Sequence, residues 1–247
     1  TAPGAQPELR AHRDTDQERP DTSKAAFRVK NYYDDAAEML AQDQPGLISI
    51  ATRTAARPSL VELASQSGVR AIHLEKPLAT SLAESKKIVD AINERSIIVS
   101  YGTTRRYMDV YRRAKALINS GTIGNLEHIA VENGRETLLW GHPHSVDLIL
   151  FLANTQEVDY VQGNLYFEHG ALNGLVLDSD PRVESATIRF ATGVVGQITQ
   201  TGGTSVRVSG SEGIVTVLAD GSELTVHRRG IGSAYFTKFE RVPIDIT

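Results

Sequence analysis

Leu47-Ile48-Ser49-Ile50-Ala51 and Val69-Arg70-Ala71-Ile72-His73-Leu74 are two short apolar runs on either side of a helical pattern through Leu60, Leu63 and Ala64 that ends at Gly68. Each run has strand length, and the segment between them has the 3.6-residue spacing of a helix that covers one face. The second run continues into Glu75-Lys76-Pro77. Ser81 and Glu84 then form a capping box, ahead of a helix with Leu82, Ile88, Val89 and Ile92 on one predicted face. Ser96 to Ser100 is one more strand. Strand, helix, strand, helix at this spacing predicts a parallel sheet with right-handed crossovers.

Toward the start of the chain, Leu9 to Arg13 is a strand candidate, Gln17 to Ala26 a helix candidate, and Tyr32-Tyr33 a short extended piece. Asp35 with Glu38 three residues on marks the start of a helix. Toward the end the pattern changes. A helix carrying Val110, Ala114, Leu117 and Ile118 stops at Gly121, Leu126 to Val131 is a strand, and Ser145 to Leu152 is a nearly all-apolar, hence buried, helix. From Val158 onward strands alternate with turns at Thr192-Gly193, Gly202-Gly203, Glu212-Gly213 and Asp220-Gly221. The expected fold class is a Rossmann-like α/β parallel-sheet domain over residues 1–102, incomplete because its first strand is missing. An α+β domain with a large, mainly antiparallel sheet is expected over residues 103–247.

Composition narrows the function. A net charge of −4 gives no electrostatic reason to expect nucleic acid or an anionic membrane. With no cysteine, disulfides, thiolate metal sites and cysteine nucleophiles are excluded. The longest apolar run, Val146 to Ala153, is too short to cross a bilayer. Thr1 to Arg19 is polar and acidic, unlike a signal peptide, so a cytoplasmic enzyme is expected.

Open parallel sheets bind ligands beyond the carboxyl ends of their strands. Two such ends are Ala51-Thr52-Arg53-Thr54 and Glu75-Lys76-Pro77. The tripeptide has two readings: a charged turn stopped by proline, or a lysine presented to a cleft with its backbone fixed by proline, through a cis bond if need be. Likewise, Arg105-Arg106 is either a solvated pair or a substrate contact. His142, His144 and Asp147 lie close enough to suggest a metal, but with no further ligand the expected metal set is none.

The chain resembles the Gfo/Idh/MocA family, named for glucose–fructose oxidoreductase, inositol dehydrogenase and rhizopine catabolism. Four pieces stand in the family's order. They are Tyr33-Asp34-Asp35-Ala36 through Met39-Leu40 before the Ile48 to Thr52 strand, Glu75-Lys76-Pro77-Leu78-Ala79, Ile118 to Gly124, and His144-Ser145-Val146-Asp147. The resemblance implies an NAD(P)-dependent dehydrogenase acting on the CH–OH group of a sugar, sugar derivative or cyclitol. Lys76 would touch substrate and cofactor, His144 would be the general acid/base, and Asp147, one helical turn on, would complete the catalytic set. Asp14, Ala51, Thr52, Arg53, Glu75, Lys76 and Pro77 would hold the cofactor. Lys76, Arg106, Trp140, His142 and His144 would meet the substrate. An acid at Asp14 favours NAD, while neighbouring Arg13 leaves NADP possible.

The chain departs from the family at three places: Trp140 stands where an aspartate is common, Thr52-Arg53 where threonine-proline is common, and Arg57 where a histidine is usual. Trp140 could instead stack on a sugar ring. The dinucleotide fingerprint glycine-x-glycine-x-x-glycine is also absent. The expectation is therefore that about twenty to thirty further residues, one strand–helix unit, precede Thr1. These features keep a second reading open, a catalytically silent nucleotide- or sugar-binding sensor or scaffold of the same fold. A third is a metal-dependent lyase or isomerase using His142 and His144. The strand-rich second domain implies a homodimer or homotetramer.

Overall fold

Short β-rich runs broken by capped helices build the first part of the chain, and long alternating strands build the second. The computed structural model describes residues 11–13, 29–201, 203–230 and 238–244. The chain divides into two compact units, Thr1–Gly102 and Thr103–Thr247.

In the first unit, strands β3 (Leu47–Ile50), β4 (Ala71–Leu74) and β5 (Ile98–Tyr101) form a parallel sheet in that order. Strand β1 (Ala11–Arg13) pairs in parallel with β2 (Asn31–Tyr33) as a separate ribbon. The helix predicted over Gln17 to Ala26 lies outside the described residues. Helix α1 (Ala36–Asp43) starts where expected, the Glu38 N–H donating to Asp35 Oδ1 at 2.9 Å. Helix α2 (Arg57–Gln66) is followed by Gly68 in the left-handed region at φ 77°. Helix α3 (Leu82–Glu94) is capped by Ser81, whose Oγ accepts from Glu84 N–H at 3.2 Å. The core is Leu40, Ile50, Val61, Ala64, Val69, Ile72, Leu74, Ala79, Ile88 and Ile97.

One expectation for α3 needs correction. Ile88 is buried and Ile92 packs at the core's edge, but Leu82 and Val89 are 73% and 44% exposed. Successive helical residues turn by about 100°, so Leu82 and Val89 form a separate stripe beside the one that packs.

In the second unit, α4 (Asp109–Asn119) precedes β6 (Leu126–Asn133) and α5 (His142–Ala153). Helix α5 begins three residues before the predicted Ser145. Pro143 occupies its first turn, where a missing N–H leaves no helical bond unmade. The later strands are β7 (Val158–Tyr166), the short ribbon β8 (Leu172–Asn173) with β9 (Val176–Leu177), β10 (Arg182–Phe190), β11 (Val195–Thr199), β12 (Thr204–Gly210), β13 (Gly213–Leu218), β14 (Glu223–Gly230) and β15 (Lys238–Val242). Among the described residues, seven of them join β6 in one sheet in the order β15-β14-β13-β12-β6-β11-β10-β7. It is antiparallel except at its centre, where β6 runs parallel to β11 and antiparallel to β12. Among the described residues no helix is long and apolar enough to cross a membrane.

Helix α5 buries Leu148, Ile149, Leu152 and Ala153 and packs on β6 and β11. The approach is close at Gly196, where an added Cβ would lie 2.4 Å from Ile149 Cγ2. A Gly196→Ala substitution therefore has to push the helix off the sheet. It should lower unfolding stability by about 1–3 kcal/mol, the usual cost of overpacking, measured by urea denaturation.

Candidate functional site

In the first unit the site is the carboxyl end of the three-stranded sheet. Ile50 and Leu74, the last residues of β3 and β4, are 5% and 0% exposed, whereas Ala51 and Arg53 just beyond are open to solvent. Lys76 is half-buried, and the Lys76–Pro77 peptide bond is cis. The backbone of this end is held by Arg57, itself 4% exposed. Its Nη1 donates to the Pro77 carbonyl and its Nη2 to the Thr52 carbonyl at 2.7 Å. One guanidinium thus joins the segments that leave β3 and β4, a job for its rigid fork that no lysine could do. Burial lowers the Arg57 pKa, while Tyr101 and Glu75 pull it back up.

The Glu75 carboxylate turns back to accept the Lys76 N–H at 3.1 Å. It lies against Gly102, where a Cβ would come within 2.9 Å of it. Glycine is required there by the close approach of the carboxylate. With Arg57 and Glu75 both folded onto backbone, the end of the sheet presents Ala51, Thr52, Arg53 and Lys76. Open parallel sheets bind their ligands at such an end. Asp14, expected at the adenosine ribose, lies outside the described residues.

In the second unit the polar first turn of α5 is the focus. His142 is 1% exposed and sits at the end of a hydrogen-bonded chain in which Asn133 Nδ2 donates to Ser145 Oγ at 3.2 Å and Ser145 Oγ meets His142 Nδ1 at 3.2 Å. The Ser145 hydroxyl thus bridges the Asn133 amide and the His142 ring. Burial lowers the His142 pKa, opposed by Glu136 and Asp180. Asp180 accepts the Leu139 and Trp140 N–H groups at 2.8 and 3.0 Å, and Glu136 packs on Gly141 at the head of the helix. A cleft of about 610 Å³ opens beside Glu136, lined also by Asn133, Arg135, Gln200, Thr201 and Thr204.

Two neighbouring arginines in the 3-10 turn Thr104–Tyr107 each grip a carboxylate with two N–H groups. Arg106 donates to both oxygens of Asp147, at 2.8 and 2.5 Å. Arg105 donates to both oxygens of Asp220, at 2.7 and 2.8 Å, and the buried Tyr111 hydroxyl donates to Asp220 Oδ1 at 3.1 Å. Asp220 is on the turn between β13 and β14, where both Ala219 (φ 44°) and Asp220 (φ 52°) are left-handed. That conformation costs Ala219 about 1–2 kcal/mol, whereas an aspartate tolerates it. Gly221 follows, seated where a Cβ would stand 2.7 Å from Val110 Cγ1.

The expected substrate contacts are thus placed differently from one another. Trp140 is 67% exposed, His144 and Asp147 are half-buried on the first turn of α5, Arg106 is paired to Asp147, and His142 is enclosed. Among the described residues no group of three or more acidic, histidine or cysteine side chains is gathered for a metal. Glu136 and Tyr111 escaped the reading of the sequence, and the roles of Arg57 and Ser145 were not foreseen. Only the Arg105-Arg106 pair hinted at the ion pairs, and Asp220 stood as a turn residue.

Residues 2–103 match the model of the Gfo/Idh/MocA oxidoreductase family, described as having an NAD-binding Rossmann fold. The D-apiose dehydrogenase of Paraburkholderia graminis is 34% identical over 111 residues, 45% of this chain and 29% of that protein. The scyllo-inositol 2-dehydrogenase (NAD(+)) of Bacillus subtilis is 33% identical over 98 residues, 39% of this chain and 28% of that one. The match therefore spans under a third of the length of each of these relatives. A levoglucosan dehydrogenase solved with NADH and levoglucosan shares the fold, with a TM-score of 0.80 at 22% identity, over 96% of this chain and 71% of that one.

The Arg105–Asp220 pair makes stability depend on pH. Hydrogen bonding to Arg105, stronger than the opposing burial, holds the Asp220 carboxyl below its usual range. A pKa depressed by folding adds stability that is present above the unfolded value, about 3.9, and lost as pH falls through the folded one. The gap in Tm between the parent and Asp220→Asn should therefore stay constant above about pH 5 and narrow as pH falls below about 4 in thermal melts. The gap should be modest, because the Asp220 side chain is 38% exposed.

Proposed function

We propose that this chain, which belongs to the Gfo/Idh/MocA oxidoreductase family through residues 2–103, oxidises a CH–OH carbon of a sugar, sugar derivative or cyclitol with a nicotinamide cofactor. The observation that carries the reading is Lys76 at the carboxyl end of β4, the central strand of the parallel sheet. The dehydrogenase names of the two relatives support the substrate class. When bound, the nicotinamide ring accepts the two electrons of the oxidation as hydride. Ala51, Thr52, Arg53, Glu75, Lys76 and Pro77 would hold it, with Asp14 at the ribose, and NAD is preferred over NADP.

The residues of the chain manage the proton and the charge. The Lys76 ammonium stabilises negative charge on the reacting oxygen, where a fixed cation is most effective away from water. His144 accepts the hydroxyl proton, the task for which an imidazole is suited near neutrality. Asp147, locked by Arg106, fixes the turn that carries His144. Trp140 offers a flat apolar face for a sugar ring, and the polar cleft beside Glu136 suits a ligand rich in hydroxyls. His142 acts from behind, through Ser145, as a support for the helix start.

Residues 1–102 serve as the dinucleotide-binding domain and 103–247 as the substrate-binding and oligomerisation domain of a cytoplasmic protein that takes neither nucleic acid nor membrane. Strand β7 is the proposed contact between copies, as a dimer or as pairs within a tetramer. All nine of its residues are exposed at the edge of the sheet, including Tyr160, Val161 and Tyr166, and the β8–β9 ribbon adds Leu172, Leu175 and Val176. A long apolar edge of this kind is a pairing template unless it is covered.

Two measurements test the proposal. Over a panel of sugars and cyclitols, followed by nicotinamide absorbance in the full-length protein, Lys76→Ala and His144→Ala should each cut turnover roughly 10²- to 10⁴-fold with the fold intact by circular dichroism. A fully active Lys76→Ala variant refutes the mechanism, and binding without any absorbance change points to a silent sensor instead. For the assembly, Val161→Lys with Leu165→Lys should reduce the mass seen by light scattering to that of a smaller species. An unchanged mass rules out the β7 edge.

A further inference from the structure

We propose that Asp180 is a positioning residue for Trp140: its carboxylate pins the main chain ahead of α5, so that the exposed indole is held ready for a sugar or cyclitol ring. That Trp140 meets the substrate rests on the function proposed above; the pinning of its loop does not.

The loop of residues 136–140 is stitched to the start of β10. Val183 N–H donates to the Glu136 carbonyl at 3.2 Å, Leu138 N–H donates to the Pro181 carbonyl at 2.8 Å, and Thr137 forms an antiparallel bridge with Arg182. Pro181 and Val183 are buried, so this pairing is anchored in the core. Past Leu138 a side chain takes over from the main chain. Asp180 Oδ1 accepts the Leu139 N–H at 2.8 Å, and its Oδ2 accepts the Trp140 N–H at 3.0 Å. The loop then turns into α5, with the Gly141 and His142 N–H groups both donating to the Thr137 carbonyl at 3.2 Å. Gly141 passes so close to Glu136 that an added Cβ would lie 2.5 Å from Glu136 Cβ. The Trp140 main chain is therefore fixed on both sides.

The core gains little from this, because Trp140 is 67% exposed. A pinned main chain beneath an exposed aromatic suits a ligand contact, since the cost of ordering it is met on folding and not on binding. The choice of side chain follows from the donors. Two adjacent N–H groups need two acceptors, and an ionised carboxylate offers both oxygens and no donor. An asparagine at the same place would turn its NH2 group onto one of those N–H groups. Glu136, at the other end of the loop, lines the polar cleft with Asn133, Thr201 and Thr204. Fixing the loop thus also fixes the spacing between a cleft suited to hydroxyls and a flat apolar face.

The test is a kinetic cycle in the full-length protein at saturating nicotinamide cofactor, on the sugar or cyclitol that the parent turns over fastest. Asp180→Asn should raise KM about three- to tenfold and change kcat by less than about twofold, the mark of a weakened binding contact with the chemistry intact. Trp140→Ala should raise KM at least as far, and the double variant no further than Trp140→Ala alone, because residues that act through one contact do not add. The proposal is overturned if KM moves in Trp140→Ala but not in Asp180→Asn, if kcat alone falls, or if the two effects multiply. A parent without turnover, or a Trp140→Ala variant with unchanged KM, removes the substrate role of Trp140, and the pinning is then decided without ligand. Trp140 is the single tryptophan of the 247 residues, and its fluorescence is isolated by subtracting the signal of Trp140→Phe. In Asp180→Asn its anisotropy decay should gain a fast component that is absent from Asp178→Asn, a change at an exposed carboxylate nearby. An unchanged decay overturns the pinning. Should Asp180→Asn fail to fold, Asp180→Ser, which keeps one acceptor, is read by the same two criteria.

Discussion

A helix that is apolar on nearly every side must be covered, and covering α5 organises the second unit. Its Leu148, Ile149 and Leu152 are enclosed against β6 and β11, and the approach is so close that the sheet carries glycine at residue 196. Such burial drives folding at about 25 cal/mol per Å² of apolar surface removed from water, without regard to direction. Direction comes from the one turn of the helix that is not apolar. Polar groups cannot follow the rest into hydrocarbon without partners, so Ser145 meets Asn133 and His142, and Asp147 is held by Arg106. The core and the candidate chemistry are two ends of one helix.

That division explains what could be read from the sequence and what could not. The parallel sheet was legible because β3, β4 and β5 are apolar runs bounded by caps and glycine, signals that act within a few residues. Ser81 with Glu84 and Asp35 with Glu38 both formed the expected caps. Helix α3 shows the limit of spacing as a guide, because apolar spacing does not say which of two adjacent stripes meets a neighbour, and Leu82 stayed out. The parallel pairing of β6 with β11 was not legible either, since alternation within a strand says nothing about which strand lies beside it.

The ion pairs were hidden for a similar reason. Arg105 and Asp220 are far apart in sequence, and nothing local marks either as the other's partner. In the sequence Ala219-Asp220-Gly221 resembles any turn, and only the backbone angles reveal that it is an unfavourable one. Arg57 is a comparable case in the first unit, a buried cation whose partners are two main-chain carbonyls. Carbonyls leave no trace in composition, so a residue that works through them is seen only once the chain is folded.

The central position of β6 has a consequence for how the second unit is made. The strand is synthesised before both of its neighbours, and its register joins His128 to Val195 and Val131 to Val206, so neither pairing can form as a local hairpin. The ribbons on either side, β7-β10-β11 and β12-β13-β14-β15, have mostly short connections and can assemble early. Each keeps a bare edge of N–H and C=O groups until β6 lies between them. Contacts this distant pay their loop-closure entropy before they return any stability, which slows folding and lengthens the time for which bare edges are exposed. For a sheet built this way, the nascent chain's vulnerable interval ends when one early strand is captured by two late ones.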